Sequence, residues 1–267
     1  MSQSGSIGLV GAFYDTIGAN SAQGSAYVFR NLDTATGTVT QSVKLTASDG
    51  AAYDYFGGSV SQSGDQFTIG ANAKNNCTGK SYTGTVSSVT TLDAGNASRT
   101  IDRISFVSQD DWVIGETTTS NQVWLKSGNT ANVTASGKAV IIGKNAGSDN
   151  NKLIIEGTLT ANQITVGAAG NTGNILQIGN GGTSGSLSAS SVITNNGRVI
   201  FNRSDMILQG TDFGSAAITG TGSVTQAGSG ITILFATNTY TGATNITNGL
   251  LVLDLSLIHI SEPTRPY

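Results

Sequence analysis

Asp110 and Asp111, followed by Trp112, form the most conspicuous acidic pair of the chain. Two carboxylates can share acid and base work on a glycosidic bond when they converge across a fixed gap. Neighbours in a strand point to opposite faces, so this pair is expected to diverge, as a solvated turn before a strand. His259 is the only histidine, and it sits close to the C-terminus. Upstream of it there is no base for a Ser-His-Asp or Cys-His arrangement. Cys77, the lone cysteine, lies in a polar loop between Lys74 and Lys80 and is expected to be an incidental free thiol. A single cysteine excludes an internal disulfide framework and a cysteine zinc site. The run Gly179-Asn180-Gly181-Gly182 has neither the Lys-Ser/Thr nor the following helix of a phosphate loop. No catalytic, cofactor-binding or metal-ligating residue is assigned, and the chain is not expected to be an enzyme.

Trp112 and Trp124 lie on either side of the turn 116–121. Exposed, they would stack on a sugar ring. Buried, they would cap the first coils of a stacked β structure, and this is the role expected of both.

The elements that would position such residues are short. Charged residues make up 11% of the 267, against a usual share of about 25%. There are 36 glycines and 2 prolines. Disordered chains carry more charge and proline, and no stretch has the 3.6-residue period of an amphipathic helix. A net charge of −3 without a basic patch argues against nucleic acid. No apolar run approaches the ~20 residues that cross a bilayer as a helix, so no direct membrane span is expected. The N-terminus lacks the cationic and hydrophobic regions of a signal peptide.

Two repeats are visible. Ser2-Gln3-Ser4-Gly5 returns as Ser61-Gln62-Ser63-Gly64, and Gly11-Ala12 as Gly70-Ala71, at the same offset of 59. Gly24 to Val28 answers Gly79 to Thr83 at an offset of 55. About four strands in 60 residues is a propeller-blade arrangement. Further on, Gly143 matches Gly167, Leu153 matches Leu176 and Ile155 matches Ile178, at offsets of 24, 23 and 23. Ile193 to Phe201 is likewise similar to Ile246 to Leu253. Short apolar runs with Gly and Asn corners every 20–25 residues suit the coils of a parallel β-helix, with Asn at equivalent turns stacking in ladders.

Phe56-Gly57 followed by Gly70-Ala71 resembles the FG-GAP repeat of integrin-type β-propellers. Residues 24–57 are similar to the version found near the start of some bacterial autotransporter passengers. The final proline of the motif is replaced by Asn72, and by Phe13 in the first copy. Members of that family often hold calcium in an Asp-rich loop after the motif. Here the two loops, 13–23 and 72–79, contain one Asp and none, so no metal is expected. Asn238 to Leu253 resembles the autotransporter-associated β-strand repeat. That resemblance implies a right-handed β-helical passenger, carried to the surface of a Gram-negative bacterium by an outer-membrane β-barrel.

The expected fold is therefore all-β: a partial propeller-like FG-GAP region over 1–85, then a right-handed parallel β-helix over 86–254. Leu255 to Arg265 resembles the translated read-through of a sequencing adapter, so 255–267 is expected to be an artefactual tail. Met1 falls opposite Val60 of the second repeat, so the chain is expected to begin inside a repeat. The function implied is a non-catalytic structural or adhesive segment at the cell surface, with host or matrix glycans or proteins as partners. The alternative is a β-helical carbohydrate-binding or polysaccharide-cleaving protein.

Overall fold

A computed structural model describes residues 1–74 and 78–253. Cys77 and the terminal segment Leu255 to Tyr267 lie outside the described residues. The protein is nearly all β, with 2% helix and a β-solenoid of about 6 turns.

The chain opens as an antiparallel meander of β1 (Ser2–Ser4), β2 (Ile7–Ala12), β3 (Ser25–Phe29) and β4 (Val43–Ala47). A second meander follows: β5 (Phe56–Ser63), β6 (Gln66–Ala71) and β7 (Lys80–Thr85). The copies share their register. Ser4 faces Ile7 in the first hairpin, and Ser63 faces Gln66 in the second, each 59 residues on. Gly11 faces Ala26, and Gly70 faces Ser81. Among the described residues no fourth strand pairs with β7 in the second copy. After β7 the chain makes one helical turn, α1 (Val86–Val89), and enters the solenoid.

The first coil comprises β8 (Thr91–Leu92), β9 (Ser98–Ile101) and β10 (Ile104–Ser108). Each founds one face of parallel strands. The first face runs on through strands starting at Trp112, Val140, Ile164, Val192 and Ala217. The second continues from Gln122, Lys152, Ile175, Arg198, Ser223 and Thr244, and the third from Thr130, Thr158 and Ser186. A separate three-stranded sheet of Met206–Leu208, Ile231–Leu234 and Leu250–Leu253 completes the last coils.

The core follows from the alternation of strand side chains. On the second face Val123, Leu153, Leu176 and Val199 stack inward in register, as do Leu125, Ile155, Ile178 and Phe201. Burying one such side chain contributes about 1.5–3 kcal/mol. The pairings of Leu153 with Leu176 and of Ile155 with Ile178 match the sequence repeat. The similarity of Ile193–Phe201 to Ile246–Leu253 does not reflect register. Val192–Asn195 and Arg198–Phe201 lie on the first and second faces, whereas Thr244–Ile246 and Leu250–Leu253 lie on the second face and the C-terminal sheet. Both segments turn an Asn-Gly corner, but the corners are different ones.

A strand seam joins the two parts, beside an ion pair of Arg99 with Asp65 at 3.8 Å. β4 pairs antiparallel with β10, Val43 opposite Ser108 and Leu45 opposite Phe106. β10 then pairs in parallel with Thr130–Val133. The first meander thus prolongs the third face into one eight-stranded sheet, and no strand edge is left bare at that junction.

Candidate functional site

The FG-GAP-like residues form a joint between the two meanders. Phe56 is buried and meets Tyr82 edge-on, with ring centroids 5.1 Å apart. Its main-chain N–H donates to the Gln23 carbonyl at 2.8 Å. Gly57 has φ +90°, and a Cβ there would lie 2.2 Å from the Ser25 carbonyl oxygen. A Cβ on Gly11 would in turn lie 2.0 Å from the Gly57 oxygen. Only glycines allow the two backbones so close. Gly70 leaves room for the Ser59 hydroxyl, and Ala71 is buried opposite Phe56. The motif residues thus lock one copy onto the other.

Several charged groups of this region are paired. Asp15 accepts from the Ser25 hydroxyl, from the Tyr27 hydroxyl at 2.6 Å, and sits 3.1 Å from Lys44 Nζ. In the second copy its equivalent is Lys74, which contacts Asp54 at 2.7 Å. The sign of the charge at this loop position is inverted between copies. Asp49 accepts from the Tyr82 hydroxyl at 2.6 Å and pairs with Lys80. Burial alone would raise the Asp49 carboxyl. The hydrogen bonds from Lys80 and Tyr82, with the charge of Lys74, outweigh it and hold the group below its ordinary value. Burial and the Asp49 carboxylate push the Tyr82 phenol well above its ordinary range. Among the described residues no three His, Cys, Asp or Glu side chains converge as a metal site.

The two tryptophans part company. Trp112 is fully buried, packs edge-on against Phe106 at 5.1 Å, and donates from Nε1 to the Ser88 carbonyl of α1 at 2.9 Å. It plugs the N-terminal end of the solenoid and has no face to offer a sugar, because strand alternation aims it inward with Ile114. Trp124 does not cap the core. Its neighbours Val123 and Leu125 take the inward positions, so its ring points out beside Ile154 and Thr100. Its Nε1 donates to Glu156 at 2.9 Å, and Lys126 Nζ stands 3.3 Å from the ring centroid. A cation already covers one face of the ring.

Asp110 and Asp111 serve separate contacts. Asp111 accepts from the Ala139 main chain at 3.0 Å, whereas Asp110 lies 3.8 Å from Lys138. Asp110 also lines an open surface pocket of about 280 Å³ with Thr40, Gln41, Ser42 and Gln109. One carboxylate among neutral amides and hydroxyls lacks the paired partner that acid–base hydrolysis needs.

Asp93 was not singled out by sequence. It accepts from the main-chain N–H groups of Glu116, Thr117 and Thr118 at 2.9, 2.9 and 2.8 Å, and from the hydroxyls of Thr117 and Thr118 at 2.6 and 2.7 Å. Three successive N–H groups converging on one oxygen form a backbone anion cradle, here filled by the chain's own carboxylate. The Thr-Thr-Thr run 117–119 one coil after Asp93 was its only sequence signal.

Comparison with protein families matches residues 39–88 to the FG-GAP repeat, the stretch from just before β4 into α1. No curated protein and no solved structure matches the chain. An FG-GAP repeat and a β-solenoid together fit a repeat-containing protein of extracellular type.

Proposed function

We propose that this chain is a non-catalytic structural or adhesive segment of a secreted, surface-displayed protein of the autotransporter type. The observation that carries the reading is the eight-stranded sheet running from β1 to Ser186–Ala189, which ties the repeat unit and the solenoid into one element. Stacked coils that share a ladder hold distal regions away from an anchor. The chemistry of the carboxylates agrees. Asp15, Asp49, Asp54 and Asp205 each meet a Lys or Arg, and Asp93 is enclosed by its donors. Oxygens engaged in this way support a structural role for these carboxylates over acid–base work on a substrate. An outer-membrane β-barrel is the expected translocator, the bacterial cell surface the expected location, and host or matrix glycans or proteins the expected partners.

A second reading, a carbohydrate-binding β-helix, draws on the outward ring of Trp124 alone. Display tests the first reading. Fused ahead of an outer-membrane β-barrel, the segment should become accessible to protease on intact cells and should release no reducing ends from polysaccharides. Retention inside the cell, or sugar release above that of a heat-denatured control, would overturn it.

A further inference from the structure

We propose that Asn248 is a site of self-modification, where the main-chain nitrogen of Gly249 displaces the side-chain amide as ammonia. The chain holds three Asn-Gly pairs: Asn180-Gly181, Asn196-Gly197 and Asn248-Gly249. Such pairs are reactive because glycine, without a Cβ, lets its nitrogen approach the preceding side chain. The fold treats the three differently. Gly181 N–H donates to the Asn202 carbonyl at 2.8 Å, and Asn180 Oδ1 accepts from Gln177 at 3.2 Å. Gly197 N–H donates to the Val166 carbonyl at 3.0 Å, and Asn196 Nδ2 donates to the Gly167 carbonyl at 3.0 Å. In both pairs the glycine nitrogen is tied to a neighbouring coil and the side chain is held. Gly249 N–H instead donates to Oδ1 of Asn248 itself at 2.9 Å, and among the described residues it has no main-chain acceptor. This local bond brings the nitrogen to the carboxamide, because Cγ is one bond beyond Oδ1. Asn248 is exposed, so water and hydroxide reach it.

The step balances with water and hydroxide alone. Hydroxide takes the Gly249 amide proton, and the nitrogen attacks Asn248 Cγ. The new Cγ–N bond forms as the Cγ–Nδ2 bond breaks, and Nδ2 leaves as ammonia after taking a proton from water, which restores the hydroxide. The product is a cyclic imide. Water then opens the ring at one of its two carbonyls. Opening at Cγ leaves aspartate. Opening at the main-chain carbon of residue 248 leaves isoaspartate, in which the side-chain carbon carries the chain. Either product sets a new carboxylate at the corner before Leu250–Leu253, and isoaspartate also lengthens the main chain there. The corner has little slack. Gly249 has φ +65°, and a Cβ on it would lie 2.3 Å from the Gly230 oxygen and 2.4 Å from that of Gly228. Leu250 N–H donates to the same Gly230 carbonyl at 3.0 Å. Isoaspartate at 248 therefore loosens the pairing of Leu250–Leu253 with Ile231–Leu234. This inference goes beyond the surface-segment reading and does not depend on it.

Peptide mapping by mass spectrometry of the full chain, aged in mildly alkaline buffer with its fold followed by circular dichroism, tests it. The exchange of amide for carboxyl should run at least ~10-fold faster at 248 than at 180 and 196, and faster still as pH rises. In denaturant the three rates should converge, because the fold no longer separates the pairs. Asn248→Gln, whose longer side chain disfavours ring closure, should abolish the change at this site and leave the other two rates as they were. Fragment ions should assign isoaspartate to 248, and amide exchange at Leu250–Leu253 should quicken in the aged protein. Equal rates at the three sites of the folded protein, or a faster change at 180 or 196, would overturn the proposal. So would a rate ratio that persists in denaturant, since the local sequence would then account for it.

Discussion

A Cβ on Gly143 would lie 2.3 Å from Asn174 Nδ2 in the next coil. Glycine at φ +76° turns the corner and vacates the space that the Asn side chain fills. The arrangement repeats one coil earlier, where Gly115 makes room for Asn151. The buried asparagines form a ladder. Asn174 Oδ1 accepts from the Asn151 main chain at 2.9 Å, and Asn151 Oδ1 accepts from the Asn121 main chain at 2.9 Å.

Removing a rung strands a buried donor. Asn151→Ala is expected to lower unfolding stability by about 1–3 kcal/mol, and Gly143→Ala by at least as much, because left-handed strain adds to the clash. Asn132→Ala, on the outer side of the third face, should cost under about 0.5 kcal/mol. Denaturant midpoints of the three variants test the order.

Trp112→Ala should cost about 3–5 kcal/mol, since it empties the plug between Phe106 and α1. Trp124→Ala should cost under about 1 kcal/mol, the scale of an exposed cation–π contact. Fluorescence of the single-tryptophan variants should show a blue-shifted, quencher-protected Trp112 and a more accessible Trp124.

How much of this was legible in the sequence differs from one element to the next. The 59-residue offset carries the hairpin register itself, since Ser4–Ile7 and Ser63–Gln66 are the same pairing. Leu153–Leu176 was legible because both the strand and the corner before it recur at one spacing. The seam between β4 and β10 was not, because an antiparallel pairing of residues about sixty apart leaves no repeat behind. The different fates of Trp112 and Trp124 were open to period-two reading: Val123 and Leu125 flank one tryptophan, while Ile114 shares the parity of the other. Treating the two as a pair across a turn hid that signal. Asp93 was hidden because its partners are mostly main-chain N–H groups, which no side-chain pattern announces.

Gly57→Ala sets a methyl against the Ser25 carbonyl, a main-chain atom that cannot swing aside. The variant should separate the two meanders, costing more than about 2 kcal/mol. Limited proteolysis should then cut first in the first 85 residues, leaving the solenoid longer-lived.

Acid should weaken the fold through Asp93. Burial alone would raise its carboxyl, but the hydroxyls and N–H groups of Thr117 and Thr118 outweigh it and hold the group well below the ordinary carboxylate range. The unfolded chain, with an ordinary value of about 3.9, therefore binds protons first as pH falls. The stabilisation is complete above that value and is lost as pH drops through the folded one. Asp93→Asn should flatten the fall of melting temperature below about pH 4. The paired Asp15, Asp49 and Asp205, also held low, should leave part of the decline in place.

Hydrogen exchange at the seam tests most directly whether repeat unit and solenoid form one element. The amides of Val43–Ala47 and Ile104–Ser108 should exchange slowly and together, in step with Leu153 and Leu176 of the solenoid core. Fast exchange throughout residues 2–85, with a solenoid that stays protected, would contradict it.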